Sequence, residues 1–168
     1  SNIFKDTQTK PSVYENKLIY LDGYKNLRVL SLIDGKQICI NEGKKDRGYH
    51  RGVGIYKKSK SQVYAVFVRH GLIKLVDINN CKERNIKVKN LPNSPISAPI
   101  YVNNNIAYVL PNGGVPFAID LSKEQVLWKA SVENSILKKL KLKNLNQDLK
   151  WDVWGGGAID IKYNQIIF

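Results

Sequence analysis

The sequence contains no apolar run approaching the roughly 18 residues that a membrane-spanning helix requires, so no helix is expected to cross a bilayer. Its first residues, Ser1-Asn2-Ile3-Phe4-Lys5, have neither the charged start nor the long apolar core of a secretory signal, and any such signal is expected to have been removed upstream. Histidine and cysteine are scarce, with two of each. His50 and His70 stand apart, and neither Cys39 nor Cys81 has a second Cys or a His at metal-ligand spacing, which argues against a zinc centre. The two cysteines fall in unrelated surroundings and are expected to be unpaired thiols, so they assign no redox compartment. No Ser or Cys nucleophile can be matched with a plausible base, which removes the usual nucleophilic hydrolases from consideration.

Acidic residues are outnumbered, 14 Asp and Glu against 27 Lys and Arg, giving a formal net charge of +13. The lysines are scattered through every turn, the pattern of solvated loops, and no aromatic-basic recognition motif accompanies them; no nucleic-acid partner is expected. The one concentrated stretch, 136–150, interleaves Lys138, Lys139, Lys141 and Lys143 with Leu137, Leu140, Leu142, Leu145 and Leu149. It reads as an insertion whose leucine face packs on its neighbours rather than as a lipid-surface helix.

What the sequence does have is an internal repeat. Ile19-Tyr20, Val63-Tyr64 and Ala107-Tyr108 recur at 44 residues, and Leu32-Ile33-Asp34, Leu75-Val76-Asp77 and Ala118-Ile119-Asp120 recur at 43. Each repeat alternates apolar and polar residues between Asn-, Lys- and Ser-rich turns, the pattern of short strands. First strands are expected near Pro11 to Tyr14, Gly52 to Tyr56 and Ala98 to Val102, and fourth strands near Gln37 to Ile40, Arg84 to Val88 and Gln125 to Lys129. The third strands are expected to end at Asp34, Asp77 and Asp120, each folding the chain back in an Asx turn. Four strands in 40 to 45 residues is the period of a β-propeller blade, whose two apolar faces are covered by stacking on its neighbours.

The expected fold is therefore all-β: three complete blades of four antiparallel strands, approximately 11–47, 48–92 and 93–135, the insertion 136–150, and a truncated fourth blade at 151–168. An open arc leaves a sheet face at each end, so the chain is expected to be a portion of a longer protein, with edges prone to self-association and any membrane attachment carried by other regions.

Three segments carry a family resemblance. Ala118, Asp120 and Trp128 have the spacing A-x-D-x7-W, which resembles the tryptophan-docking motif of quinoprotein dehydrogenase propellers, with Glu124 in place of the motif's glycine. Tyr49-His50-Arg51-Gly52-Val53-Gly54-Ile55-Tyr56 resembles the segment by which pyrroloquinoline quinone (PQQ) dehydrogenases, the membrane glucose dehydrogenase branch above all, bring an arginine to the cofactor. Trp151-Asp152-Val153-Trp154-Gly155-Gly156 resembles the segment whose tryptophan forms the floor under PQQ.

The resemblance implies a periplasmic quinoprotein sugar or alcohol dehydrogenase, with Arg51 and Trp154 as cofactor-binding residues. It implies PQQ, with calcium or magnesium, in the parent protein, a small-molecule sugar or alcohol substrate and a quinone electron acceptor. A planar, permanently charged guanidinium suits a quinone bearing three carboxylates. One position departs from the family pattern: Gly114 stands where the alcohol branch has a calcium-ligating carboxylate. The hydroxyl expected before the third-blade proline falls near Ile96 or Ser97, and is retained if the position is Ser97. No metal ligand is assigned within this chain, and the catalytic Asp is expected beyond Phe168. The alternative is a non-catalytic PQQ-like propeller, similar to the outer-membrane assembly scaffold family, that presents its loops to protein partners.

Overall fold

A computed structural model describes residues 10–43, 52–69, 72–88, 100–109 and 116–129, together with two short strands further on. The strands run in chain order as β1 (Ser12–Tyr14), β2 (Lys17–Leu21), β3 (Leu27–Ser31), β4 (Gln37–Asn41), β5 (Gly54–Lys57), β6 (Val63–Arg69), β7 (Leu72–Asp77), β8 (Glu83–Asn85), β9 (Tyr101–Asn103), β10 (Ile106–Val109), β11 (Phe117–Asp120), β12 (Gln125–Lys129), β13 (Ala158–Asp160) and β14 (Gln165–Ile167). They form three four-stranded antiparallel meanders, β1 to β4, β5 to β8 and β9 to β12, and an antiparallel pair, β13–β14. No helix occurs among the described residues. This is the propeller-blade architecture expected from the repeat. The insertion at 136–150 lies outside the described residues.

The stacking of the sheets is written in their hydrophobic patterns. The middle sheet is covered on both sides, and its β6, Val63-Tyr64-Ala65-Val66-Phe67-Val68-Arg69, is accordingly an almost unbroken apolar run. Val63, Ala65 and Phe67 pack against Ile19, Leu21, Leu27 and Val29 of the first sheet. Val66 and Val68, on the opposite face, pack against Ala107, Val109, Phe117 and Ile119 of the third. In β2 and β10 buried residues alternate with partly exposed ones.

Turn geometry fixes the true repeat register. Ser31, Asp77 and Asp120 occupy the same place in successive sheets: the Ser31 hydroxyl and the two carboxylates accept the N–H groups of Ile33, Asn79 and Ser122, each two residues on. Four residues beyond each of them, Gly35, Cys81 and Glu124 adopt left-handed backbones with φ of 68°, 55° and 53°. The docking motif thus reads Val29, Ser31, Gly35, Cys39 in the first sheet; Leu75, Asp77, Cys81, Asn85 in the second; and Ala118, Asp120, Glu124, Trp128 in the third. The cross-strand pairs Val29 with Cys39 and Ala118 with Trp128 stand at equivalent β-bulges.

This register corrects three sequence readings. β3 ends at Ser31, not at Asp34, whose carboxylate instead accepts the Lys36 N–H within the same turn. Leu18, Ala65 and Ala107 share one level of the sheets, so the apolar-Tyr pairs are not equivalent points. Ile19 lies one residue and Val63 two residues off that level, so a recurring apolar-Tyr pair does not fix register. β8 is shorter than the expected strand, because Ile86 leaves the edge of the sheet and turns into the core at 4% exposure.

A fourth correction concerns the cysteines. Cys39 and Cys81 are joined by a disulfide, with a Cα separation of 5.7 Å, and no free cysteine is present. Cys39 stands at the tryptophan position of one docking motif and Cys81 at the glycine position of the next, so blade stacking brings them together. The Asn41 side chain donates to the Cys81 carbonyl beside the bond at 3.2 Å.

Below this bridge lies a buried polar joint. Arg69, 4% exposed, stacks over the Phe67 ring. Its guanidinium donates to Asn41 Oδ1 at 2.6 Å, to the carbonyls of Glu42 and Lys25 at 3.2 and 3.1 Å, and to Glu83 Oε2 at 3.1 Å. Lys74 pairs with the other Glu83 oxygen at 2.8 Å. At the following joint, Arg84 of the second sheet pairs with Glu124 of the third. One docking position therefore carries a covalent link at the first joint and an ion pair at the second.

Candidate ligand site at the inner strands

The first strand of each meander lies innermost: β1 rests against β5 and β5 against β9, and Lys10 forms a parallel bridge with Gly52 just ahead of them. Gly54 makes the second of these approaches possible. A Cβ there would stand 2.6 Å from Val102 Cγ2 and 2.8 Å from the Ile100 carbonyl oxygen, distances that side chains do not tolerate. At the equivalent position of β1, the Ser12 hydroxyl donates to the Val53 carbonyl of the neighbouring blade. At the equivalent position of β9 stands Tyr101.

A cavity of about 280 Å³ opens over these strands, bordered by Lys10, Ser12, Gly52, Gly54, Ile100 and Tyr101 among others, with no carboxylate among the described residues of its lining. The Lys10 ammonium lies 5.8 Å from the centre of the Tyr101 ring, a cation–π arrangement that spans from the first blade to the third. The Tyr101 hydroxyl is closed off from solvent and makes no hydrogen bond. Burial pushes its pKa above the ordinary tyrosine value, so it stays protonated through the neutral range.

The site residues implied by the family resemblance, Arg51 and Trp154, lie outside the described residues, as do His50, Ile96, Ser97 and Gly114. Gly52 to Ile55, which follow Arg51 directly in the chain, line the cavity. Trp128 stands on β12 opposite Ala118, its ring 6.3 Å from that of Tyr108 of the same sheet, and it is 41% exposed. Among the described residues no three His, Cys, Asp or Glu side chains gather at metal-binding distance. Asp77 and Asp120 are turn residues: Asp120 Oδ1 accepts from the Ser122 hydroxyl at 2.5 Å and from the N–H groups of Ser122 and Lys123 at 2.9 and 3.1 Å. Sequence reading singled out neither Lys10 nor Tyr101 as a site residue, because they meet only through the close approach of β9 to Gly54 of β5.

No protein-family model and no curated protein matches the sequence. Solved structures do. The chain is similar to the quinohemoprotein alcohol dehydrogenase ADHIIG from Pseudomonas putida HK5 (TM-score 0.57, 16% identity, 77% of this chain and 21% of that one). It is also similar to the quinohemoprotein alcohol dehydrogenase from Comamonas testosteroni (TM-score 0.53, 16% identity, 76% and 21%). BamB from Moraxella catarrhalis aligns with TM-score 0.50 and 12% identity over 71% of this chain and 38% of that one. These likenesses define the class of the fold, a β-propeller with blades of the quinoprotein dehydrogenase and BamB type. The chain spans between about a fifth and two fifths of the length of these structures.

Proposed function

We propose that this chain is a portion of a periplasmic quinoprotein sugar or alcohol dehydrogenase-like propeller whose inner strands hold PQQ. The observation that carries the reading is the cavity lined by Gly52 to Ile55, directly after Arg51, with a cation and no carboxylate among the described residues of its wall. That donor set suits an anionic planar quinone. Arg51 would grip its oxygens as a fixed fork and Trp154 would supply the flat surface beneath it. When bound, PQQ supplies the redox chemistry by accepting a hydride equivalent from a substrate hydroxyl-bearing carbon. The described residues of this chain bind and orient. Calcium or magnesium, the catalytic Asp that would take the hydroxyl proton and the quinone acceptor belong to the remainder of the parent protein, and membrane glucose dehydrogenase is the branch the Arg51 segment resembles most. The Cys39–Cys81 disulfide supports an oxidising compartment such as the periplasm.

Calorimetric titration of the protein with PQQ in the presence of calcium or magnesium tests this reading. Binding that weakens about tenfold or more in Arg51→Ala, the scale of a charge-assisted contact, and weakens in Trp154→Ala, is the expected result. The second reading is a non-catalytic scaffold of the BamB type, favoured by Gly114 at the position of a metal-ligating carboxylate. Absence of PQQ binding with either metal would leave that reading in its place.

A further inference from the structure

We propose that copies of this chain join head to tail through one further blade joint, the first sheet of one copy receiving the third sheet of the next, with Trp128 of one docked over Gly35 of the other. The inference stands apart from the cofactor reading, since no residue of the inner-strand cavity enters it.

The first half of the joint is the face of the first sheet that points away from the second. Strand alternation puts Leu18, Tyr20 and Leu30 there, opposite to the face carrying Ile19 and Val29. They hold the register positions of Ala65, Phe67 and Val76 in the second sheet and of Ala107, Val109 and Ile119 in the third. Leu32 likewise matches Ile78 and Leu121, each of the three donating its N–H to the equivalent carbonyl, of Asn16, Val63 and Asn105 respectively. In the second and third sheets these residues pack on the preceding sheet and are at most 1% exposed. In the first sheet Leu32 is 49% exposed, and Leu18, Tyr20 and Leu30 are only half-buried. A sheet face built for water carries polar residues at such positions. This one keeps the apolar set of a blade joint and continues the series of the two joints within the chain.

The second half is on the third sheet. Cys39, Arg84 and Trp128 stand opposite Val29, Leu75 and Ala118 in their own sheets. Cys39 is bonded to Cys81 and Arg84 is paired with Glu124, and both partners occupy the left-handed turn position of the following sheet. Each joint thus couples the docking residue of one sheet to the turn residue of the next. The first-sheet member of the turn series is Gly35, with no described atom within 4 Å of the place of a Cβ, and the third-sheet member of the docking series is Trp128, 41% exposed. A residue without a side chain opens its backbone to a flat ring, and Trp128 supplies one, widened by the Tyr108 ring 6.3 Å away. A second copy brings the matching half in the register of the joints already formed. Because the two halves differ, the contact is heterologous, and successive copies close into a ring or extend.

Sedimentation velocity over a concentration series tests this with wild type, Leu32→Asp, Trp128→Ala and an equimolar mixture of the two variants; circular dichroism confirms that each variant is folded. Wild type is expected to associate. Each variant alone lacks one half of every joint and is expected to raise the dissociation constant about tenfold or more, the scale of a residue central to an interface. The mixture is expected to recover pairs of one variant with the other, since Trp128 of the first meets the intact first sheet of the second. A cross-linking experiment reads the register directly: Gly35→Cys mixed with Trp128→Cys under oxidising conditions is expected to give a covalent heterodimer, as Cys39 and Cys81 do between successive sheets. Wild type that stays monomeric at the highest attainable concentration overturns the inference. Association that survives Trp128→Ala, a mixture that recovers no pairs, or cysteine variants that do not cross-link overturns the head-to-tail register.

Discussion

Cys39 and Cys81 occupy the tryptophan and glycine positions of two successive docking motifs and are covalently joined across the first joint between blades, 42 residues apart in sequence. Where the third sheet keeps Trp128 as the large docking side chain, the first keeps a sulfur and secures its neighbour through it. Closing a loop of this length removes unfolded-state entropy worth about 4 kcal/mol in the chain-entropy account. Reduction, or Cys39→Ser with Cys81→Ser, is expected to lower unfolding stability by about 2–4 kcal/mol. Urea melts with and without reductant measure it, and recovery of two alkylatable thiols from the unreduced protein would contradict the bridge.

Arg69 is expected to be the most sensitive charged residue of the described part. Replacing it with Met removes the donors to Asn41, Glu42, Lys25 and Glu83 at the joint between the first and second sheets. A loss of about 3–5 kcal/mol follows from breaking a buried pair on one side. Lys74, still paired with Glu83, places the result near the lower end. Chemical denaturation measures it, and a loss below about 1 kcal/mol, the scale of an exposed pair, would contradict the joint.

Gly54 and Gly35 separate two reasons for glycine. At Gly54 an added methyl meets Val102 and a carbonyl of the third blade, so Gly54→Ala is expected to cost about 1–3 kcal/mol by overpacking and to push β9 away from β5. At Gly35 nothing stands within 4 Å, and only the φ of +68° opposes a side chain. Gly35→Ala is expected to cost about 1 kcal/mol through backbone strain. Paired thermal melts of the two variants test the order.

Acid sensitivity should pass through Asp120. The Ser122 hydroxyl hydrogen bond holds its carboxyl below the ordinary value of 3.8; burial opposes this, and the N–H groups of Lys123 and Ser122 and the Asn105 amide add to the lowering. A carboxyl depressed in the folded state contributes stability that is complete above its unfolded pKa and is lost as pH falls through the folded one. Asp120→Asn is therefore expected to be less stable than wild type at pH 7, with the gap narrowing below about pH 4. A gap that does not change between pH 7 and pH 2 would contradict the assignment.

The blade architecture was legible because strand alternation and turn composition are local properties, repeated several times over. Register was not. Ser31 does in the first sheet what Asp77 and Asp120 do in theirs, and a hydroxyl replacing a carboxylate hides the equivalence, while Asp34, three residues on, imitates it. With the markers misaligned, Cys39 and Cys81 stand in unrelated surroundings; in the true register Cys81 shares the left-handed turn position of Gly35 and Glu124 and meets Cys39 across the joint. The cavity was half legible. The glycines after Arg51 stood out in the sequence, but the meeting of Lys10 with Tyr101 depends on packing between blades 91 residues apart, which no local pattern encodes.

A crystal structure of the protein grown with PQQ and calcium tests the central claim most directly. The account predicts the quinone against Gly52 to Ile55 with its carboxylates toward Arg51. An intact propeller arc with PQQ absent from the inner strands at saturating concentration, or with a protein segment filling that cavity, would contradict it.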